Sequence, residues 1–354
     1  MITVVRVYDY HPSKLGLLSG TVLPLLGEVG AAHALPVAFC TRGWDGGSHL
    51  ALHLAGPGLD RGVVDGLSRR LAAAVAARPA PTWSGAEYAA AAERNRALEG
   101  GAGFRPRPEP HGTVEVEQVP DDGPLAAPRR TYRTELAGVL RAALSPAPGA
   151  DTDAASGAVP GGVDGLVTGL LAATAAVYPG GLRLGSLSLR SHAEAFLAGR
   201  PDGEQVREHF DRAYRQHRAG LLRLVATGLE SPAALPGHGP AARTYAALRT
   251  AGHAADVRLL TAPRQRDLPR PQHGAGPEPD AASEFHLTLR RAGFWDAPPE
   301  GFREYRVLVN WLYESLPLLD VRPTTRYLCC HLLACAVDEF LGESWQQRLV
   351  RRTV

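Results

Sequence analysis

The sequence has little of what covalent cofactors and metal sites require. Lys14 is its single lysine, so arginine supplies nearly all of the positive charge, and a Schiff-base lysine is excluded except near the N-terminus. There are four cysteines, none of them in a Cys-x-x-Cys pair: Cys40, Cys329, Cys330 and Cys335. This usage is typical of buried thiols in a reducing compartment rather than of disulfides or zinc ligands, so we expect no cofactor and no metal.

Several motifs are also missing, and each absence argues against a class of function. The glycine-rich turns match neither Gly-x-Gly-x-x-Gly nor Gly-x-x-x-x-Gly-Lys-Ser/Thr, so a nucleotide site is not supported. Gly-x-Ser-x-Gly and His-Glu-x-x-His do not occur, and basic residues are interleaved with acidic ones. Residues 1–7 look like a strand rather than a signal peptide, and no apolar run approaches the roughly 20 residues of a membrane span. We therefore expect a cytoplasmic protein without nucleic-acid or membrane partners.

What is present is typical of a folded protein of mixed structure. Of its 354 residues 45% are hydrophobic and 21% charged, and the formal net charge is +2. We expect an α+β fold, with a strand-rich N-terminal part that forms an antiparallel sheet and a helix-rich C-terminal part. The length allows one large domain or two small ones, and we predict a single domain over residues 1–354. Proline, glycine and alanine predict flexible loops at residues 146–162 and 263–282.

Hydrophobic periodicity gives the individual elements. The predicted strands cover residues 2–10, 35–41, 49–54 and 113–119. The predicted helices cover residues 17–26, 60–77, 83–98, 131–144, 165–177, 187–198, 203–228, 241–260, 302–316 and 324–341.

One group of candidate site residues surrounds the turn between the second and third strands: Arg42, Trp44, His49 and His53. Side chains alternate along a strand, so His49 and His53 share a face with Ala51. Two imidazoles on one face are suited to acid–base work. The alternative is a hairpin whose polar face meets water.

A second group lies in the segment from Arg190 to Phe196. Ser191 and His192 would face a cleft, where a histidine near neutral pKa suits proton transfer, and Arg190 and Glu194 flank them. The alternative is a helix start, in which Ser191 is the N-cap and Glu194, three residues on, completes a capping box.

The third group is on one C-terminal helix, where Tyr305, Asn310 and Tyr313 recur at helical spacing. Tyrosine and asparagine can donate hydrogen bonds to a developing oxyanion. The alternative is buried tyrosines whose hydroxyls find local partners. His331 follows on the next helix, directly after Cys330, but adjacent helical residues point apart, which argues against a Cys–His pair there.

Four segments, taken in order, resemble segments of a known protein family. They are VRVYDY at residues 5–10, FCTRGWDGGSHLALH at 39–53, LSLRSHAEAF at 187–196 and YRVLVNWLY at 305–313. The second is similar to the F-x-R-x-W-x-x-G-P-H-L-R-L segment of the thiopeptide-type bacteriocin biosynthesis domain, which also forms the C-terminal elimination part of lantibiotic dehydratases. The chain thus resembles that family over most of its length, and it is most similar to stand-alone thiopeptide pyridine synthases.

This sequence departs from the family pattern at several positions, and these departures help to decide which of the family's two reactions it would catalyse. Elimination members remove glutamate from glutamylated Ser or Thr, and they carry His-x-Arg-x-Arg on the hairpin strand, where this chain has Ala51 and His53. Residues 116–123 lack the family's arginine and double glycine, and of the family's His-Met-x-x-Asn-Arg only His331 survives. Forked guanidinium groups suit a departing carboxylate, so their loss favours cycloaddition over glutamate elimination.

The resemblance implies a pyridine synthase that binds a precursor peptide through its leader region and works beside other enzymes of the same pathway. It would join two dehydroalanines in a formal [4+2] aza-cycloaddition, followed by loss of water and of the leader peptide. Two alternatives stay open, a glutamate-elimination lyase of a split dehydratase and a non-catalytic leader-binding partner. The implied acid–base groups are His192 and Tyr313, with Ser191 and Asn310 positioning amides. The implied substrate-binding residues are Arg42, Trp44, His49, His53, Arg190, Glu194 and Tyr305.

Overall fold

A computed structural model describes residues 1–78, 84–99, 107–120, 123, 125–145, 162–252, 283–294 and 298–350. The chain divides into two compact units. Unit 1 comprises Met1–Ser145 with Pro317–Asp320, and unit 2 comprises Pro146–Leu316 with Val321–Val354. The predicted loops at residues 146–162 and 263–282 lie outside the described residues, apart from Gly162. That the two units act as a single domain stays a prediction.

Unit 1 is built on a four-stranded antiparallel sheet with the strand order β2-β3-β1-β4. The strands are β1 (Ile2–Tyr8), β2 (Val37–Gly43), β3 (His49–Ala55) and β4 (Val114–Val119). In the register Tyr8 pairs with His49 and Val4 with His53, so the β3 histidines lie beside the buried central strand β1. The unit's helices are α1 (Leu15–Ala32, with a π-helical turn at Leu18–Val22), α2 (Arg61–Ala76), α3 (Gly85–Glu99) and α4 (Ala126–Leu144).

The turn between β2 and β3 depends on glycine. Gly46 and Gly47 adopt φ angles of 75° and 121°, which side chains rarely tolerate. A Cβ at Gly43 would lie 2.5 Å from Nε2 of His49, closer than carbon and nitrogen can approach. The glycines of this segment are therefore required by the tight turn and by the imidazole that packs against it.

Unit 2 is helical throughout its described residues. Its helices are α5 (Val163–Ala176), α6 (Gly181–Ala198), α7 (Gly203–Glu230), α8 (His238–Gly252), α9 (Glu284–Arg291), α10 (Phe302–Ser315), α11 (Pro323–Leu341) and α12 (Trp345–Val350). Helix α11 packs against α6, α7 and α5, and its buried residues include Cys330, His331, Leu333 and Val337. Proline at its first turn and Gly342 in the left-handed conformation after its end explain where it starts and stops.

A single glycine lets α6 pack closely on the helix before it. A Cβ at Gly185 would lie 2.0 Å from the carbonyl oxygen of Ala175, so only glycine fits at this crossing. The close approach buries Ser186, Leu187 and Leu189 on the following turn and fixes the rotation of α6 about its axis. That rotation decides which way the next residues, from Arg190 to Glu194, point.

The predicted α+β class is confirmed, with strands near the N-terminus and helices after them. Helices α9 and α12 were not predicted, because they are only eight and six residues long. The predicted helix over 241–260 is described only to Gly252. Helix α6 begins at Gly181, six residues before the predicted start, so Ser191 lies well inside it. The helix-start interpretation of Ser191 and Glu194 as a capping box is therefore wrong.

One helical stretch, Leu15–Ala32, is long and apolar enough to cross a membrane, and the bent pair Val163–Ala176 and Gly181–Ala198 passes the same test as one span. The expectation that no apolar run approaches this length was wrong for α1. Length and composition alone are weak grounds, because core helices of water-soluble proteins pass the test too, and Leu17, Leu18, Val22 and Leu23 of α1 are buried. Location in the cytoplasm stays a prediction.

Candidate functional site

A chain of hydrogen-bonding side chains in unit 2 connects three helices. Nδ1 of His192 on α6 lies 2.8 Å from the hydroxyl oxygen of Tyr313 on α10. The same hydroxyl lies 3.3 Å from Sγ of Cys330 on α11. Cys330 is fully buried and Tyr313 is 9% exposed, whereas His192 is half-buried. His192 is therefore the end of this chain of groups that solvent can reach.

The surroundings keep the chain uncharged at neutral pH. Burial, together with the nearby positive charges of Arg326 and Arg306, lowers the pKa of His192 to about 3. Burial raises the pKa of Tyr313 well above its usual value and the pKa of Cys330 to about 11. His192, Tyr313 and Cys330 are therefore neutral at neutral pH. A proton that reaches one of them is expected to be transferred to the next.

Arg326 packs against the His192–Tyr313–Cys330 hydrogen-bond chain, which contains no carboxylate. Its guanidinium carbon is 4.5 Å from the centre of the Tyr313 ring, within the range of a cation–π contact. A fixed positive charge here opposes protonation of His192 and favours a phenolate at Tyr313. Arg326 therefore stabilises negative charge that develops on the tyrosine oxygen during a proton transfer.

Next to His192 the structure brings together a second set of groups. Oγ of Ser191 lies 2.9 Å from Nε2 of His286, and Nδ1 of His286 lies 2.7 Å from Oγ of Ser283. Ser283 is the N-cap of α9 and accepts a hydrogen bond from the backbone N–H of His286, which fixes the imidazole at the start of that helix. The result is a Ser–His–Ser arrangement that orients the Ser191 hydroxyl.

Asn310 lies one turn before Tyr313 on α10 and is half-buried. Residues three apart on a helix are surface neighbours, so its amide lies on the same side of α10 as the Tyr313 ring. Its position beside the His192–Tyr313 pair and its amide-positioning role stay predictions.

Arg190 and Glu194 are engaged in ion pairs inside unit 2. Arg190 is 6% exposed and donates to Asp338 at 2.6 Å, while Glu194 is 8% exposed and accepts two hydrogen bonds from Arg207, at 3.0 and 2.7 Å. Arg190 and Glu194 themselves approach to 3.7 Å. Both side chains already have protein partners, so the structure favours a positioning role over direct substrate contact.

Tyr305 is a core residue. It is 1% exposed, its hydroxyl donates to the carbonyl oxygen of Gly185 at 2.9 Å, and its ring packs on Tyr178 with centroids 4.8 Å apart. This is the arrangement of a buried tyrosine with a local partner. Of the two tyrosines predicted on α10, the structure brings only Tyr313 into the group with His192.

The four hairpin residues lie in unit 1 and are held by neighbours there. Arg42 pairs with Asp320 and donates to the carbonyl oxygen of Pro317 at 3.1 Å. Trp44 lies over the ring of Tyr88 with centroids 6.4 Å apart. His49 is 5% exposed, and its Nδ1 lies 2.9 Å from the carbonyl oxygen of Gly47. The alternative of a polar hairpin face that meets water is therefore wrong at His49.

His53 packs against neighbouring residues of unit 1. Its ring stacks on Phe39 at 4.6 Å with an interplanar angle of 8°, and its Nε2 lies 2.9 Å from Oγ1 of Thr41. Burial and the charges of Arg133 and Arg6 lower its pKa to about 3. A histidine held neutral in this way is a poor proton donor at neutral pH, although it can accept a hydrogen bond.

The single lysine has a structural role in the fold. Lys14 is fully buried, and its ammonium group donates to the backbone carbonyl oxygens of Asp9 and His11. Burial lowers its pKa to about 8. Because these carbonyls hold the amine inside the loop after β1, it is not placed to meet a substrate carbonyl.

The sequence analysis missed three residues of the unit 2 site. Cys330 was considered only as a neighbour of His331, and Arg326 and His286 were not considered. The one usable signal was Ser283, because a serine three residues before a histidine is typical of a helix N-cap. The four cysteines are free, and Cys40, Cys329 and Cys330 are buried while Cys335 is half-buried, so the predicted buried thiols are largely confirmed.

No protein-family model matches the chain, and no curated protein matches it. Solved structures do match. The chain is similar to "Pyridine synthase, TbtD, from thiomuracin biosynthesis", with 25% sequence identity and a TM-score of 0.67, over 96% of this chain and 99% of that one. It is similar in fold to TsrL, with 19% identity and a TM-score of 0.56, over 100% of this chain and 98% of that one.

A third similar structure is the tRNA-dependent lantibiotic dehydratase MibB from Microbispora sp. 107891. Identity is 14% and the TM-score 0.43, over 96% of this chain and 28% of that one. The similarity to TbtD agrees with the resemblance to thiopeptide pyridine synthases that the sequence carries, and TsrL shares the fold.

Proposed function

We propose that this chain is a pyridine synthase of thiopeptide biosynthesis, an enzyme that acts on a modified precursor peptide bearing a leader region. The observation that carries the proposal is the similarity to TbtD, which extends over 96% of this chain and 99% of that one at 25% identity. The uncharged proton-transfer chain from His192 to Cys330 supports it independently, because the reaction moves protons without an anionic leaving group.

The proposed reaction joins two dehydroalanine residues. The amide before one of them tautomerises to an iminol, which gives a 2-azadiene, and this diene adds across the second alkene to form a hydroxylated six-membered ring. Loss of one water, and then of the leader peptide as a carboxamide, leaves a pyridine. The atoms balance, because the pyridine product, the leader amide and one water together equal the substrate.

His192 is suited to the tautomerisation because the hydrogen bond between its Nδ1 and Tyr313 decides which of its two nitrogens carries the proton. When Tyr313 donates to Nδ1, Nε2 carries the proton and His192 can act as an acid at that atom. When Nδ1–H donates to Tyr313, and Tyr313 donates to Cys330, Nε2 is free to accept a proton. When Nε2 gives its proton to an amide oxygen, the Tyr313 proton can move to Nδ1 and the Cys330 proton to Tyr313, which leaves the negative charge on the Cys330 sulfur. When Nε2 then takes a proton from the amide nitrogen, these two shifts reverse and all three groups return to their neutral forms. Such positioned acid–base groups contribute about 10²–10⁴-fold.

Ser191, oriented by His286, and Asn310 would hold the reacting amides. A hydroxyl and a carboxamide each offer donors and acceptors that match a peptide bond. Holding two alkenes in a reactive geometry can itself supply about 7–11 kcal/mol of the barrier. In this proposal the site contributes mostly by positioning, and His192 and Tyr313 move the protons.

The test is a mass measurement on the purified chain with a dehydrated, azole-containing peptide that carries its leader. We expect two products, a cyclised core peptide and a leader carboxamide, whose masses add up to one water less than the substrate mass. Loss of glutamate from a glutamylated peptide would instead identify an elimination lyase. Binding of the peptide with no change in mass would identify a leader-binding partner, and either result would refute the proposal.

A further inference from the structure

A group of potential metal ligands lies in unit 2 between α7 and α11. Asp211 on α7 and His331 and Cys335 on α11 each direct one ligand atom toward a common point, and the three atoms lie within 4.8 Å of one another. Nε2 of His331 lies 2.8 Å from a carboxylate oxygen of Asp211 and 3.5 Å from Sγ of Cys335. None of these three residues belongs to the His192–Tyr313–Cys330 chain.

The spacing along α11 explains why two of the ligands point the same way. His331 and Cys335 are four residues apart, so they lie one above the other on one face of the helix. Phe210, the neighbour of Asp211 on α7, packs against the imidazole with ring centroids 5.5 Å apart and restricts its orientation. The ligand atoms are therefore held in place by the packing of α7 on α11.

The distances fit a tetrahedral zinc ion. With Zn–N bonds of about 2.0–2.1 Å and Zn–S bonds of about 2.3 Å, the nitrogen and sulfur of a tetrahedral site lie about 3.5–3.6 Å apart. The observed separation of Sγ and Nε2 is 3.5 Å. The carboxylate of Asp211 would have to withdraw by about 0.5 Å from Nε2, and its side chain, 44% exposed, has room to do so.

The charges of the ligands themselves suit a divalent cation. Arg207 is already paired with Glu194, whereas Arg190 shares the carboxylate of Asp338 with Arg348. The carboxylate of Asp211 and the thiolate of Cys335 would together neutralise a doubly charged ion. Nη2 of Arg190 lies 3.7 Å from Sγ of Cys335, a contact that stabilises a thiolate and gives the site an outer shell.

We propose that Asp211, His331 and Cys335 bind a zinc ion that links α7 to α11, with the fourth position open to water on the side of Asp211. Imidazole, thiolate and carboxylate are the ligands that zinc takes in proteins. This site could not be expected from the sequence, because the cysteine spacing matches no zinc motif and the third ligand comes from a different helix.

Cobalt(II) is the probe, because it replaces zinc in such sites and gives a charge-transfer band when a thiolate binds it. The full chain, stripped of metal with a chelator, is titrated with Co²⁺ and then with Zn²⁺. We expect one cobalt per chain, a thiolate-to-cobalt band and the visible absorption of a tetrahedral ion, both abolished by Zn²⁺. Zinc at about 100 times its Kd should also raise the melting temperature by about 4 °C.

The Cys335→Ser variant should lose the charge-transfer band, while Cys329→Ser, a matched change on the same helix, should keep it. Asp211→Asn replaces the most exposed ligand and should weaken cobalt binding at least about tenfold while keeping the band. Absence of the band in the folded wild-type chain, or its survival in Cys335→Ser, would overturn the proposal. These readouts need no peptide substrate, so the result is separate from the proposed pyridine synthase activity.

Discussion

The β2–β3 hairpin of unit 1 and the His192 group of unit 2 are built from similar residues, yet they end in different states. In the hairpin, His49 bonds a backbone carbonyl, His53 bonds Thr41 beneath a stacked Phe39, and Arg42 pairs with Asp320. In unit 2, Nδ1 of His192 bonds Tyr313, and the residue is half-buried.

The difference teaches that residue type does not by itself mark a site. A histidine whose hydrogen bonds are made within the fold contributes to stability, since removing its partner costs free energy. A histidine that is bonded on one side and reachable on the other can pass a proton through its ring. By this criterion His49, which is buried and bonded to the carbonyl oxygen of Gly47, belongs to the scaffold of unit 1. His53 and His192 are both half-buried and each is bonded at one nitrogen, and His192 differs because its partner Tyr313 continues to Cys330.

The strongest test of this comparison uses two separate variants, each of which removes the hydroxyl group of one tyrosine on α10. Tyr313→Phe interrupts the chain from His192 to Cys330, so we expect the rate of cyclisation to fall by about 10²–10⁴-fold. Tyr305→Phe removes a buried hydrogen bond to Gly185, so we expect a loss of about 1 kcal/mol in the free energy of unfolding and little change in rate. Rates come from the mass assay and stabilities from urea unfolding.

Equal loss of activity in the two tyrosine variants would contradict the assignment, because only one of them contacts His192. So would a fully active Tyr313→Phe variant. Circular dichroism of both variants establishes that the helices are intact before the rates are compared.

The next largest effect concerns the ion pairs of the two units. Arg190 is 6% exposed and its loss would leave the carboxylates of Glu194 and Asp338 with one cation fewer, so Arg190→Met should lower the free energy of unfolding by about 3 kcal/mol. Arg42 pairs with Asp320 at a more exposed position, so Arg42→Met should cost about 1 kcal/mol or less. Denaturant unfolding measures both, and a larger loss for Arg42→Met would reverse the expected order.

The smallest expected effect is a pH dependence that both units share. The pKa of His53 and the pKa of His192 are lowered to about 3 in the fold, from 6.5 in the unfolded chain. Between these values the unfolded chain binds protons that the folded chain does not. The stability from each histidine is therefore complete above about pH 6.5 and is lost as the pH falls toward 3. From pH 7 to 5.5 each should account for about 1 kcal/mol.

The His192→Asn variant tests this pH dependence in unit 2. Asparagine keeps a polar group near the position of Nδ1 but does not titrate in this range. The variant should lose less stability than the wild-type chain between pH 7 and pH 5.5. An unchanged difference between the two pH values would show that His192 is not held neutral in the fold.

Much of the architecture could be predicted because periodicity is a local property. The β-branched alternation of β1 and the helical spacing of α2, α5, α7 and α11 were each sufficient to predict the element. The boundaries of α6 were not, because its first six residues depend on Gly185 fitting against Ala175. The short helices α9 and α12 were missed because eight and six residues are fewer than the roughly 11–18 over which periodicity is judged.

The candidate site was predictable only in part. His192 and Tyr313 were selected from the segments that resemble the family, and their hydrogen bond brings together two of the named residues. Cys330, Arg326 and His286 could not be selected, since their importance lies in contacts with residues far away in the chain. The same holds for Asp211, His331 and Cys335, of which only the last two share a spacing.

By itself the sequence determined most of the segments that become strands and helices, that the thiols stay free, and that Lys14 is the single lysine. These follow from local propensity, composition and chemistry, which do not depend on distant partners. Only the tertiary structure decided which histidine stays reachable, which tyrosine bonds it and which cysteine lies beside His331. Burial and pairing are set by the packing of helices that are more than a hundred residues apart in the chain, and no local pattern encodes that packing.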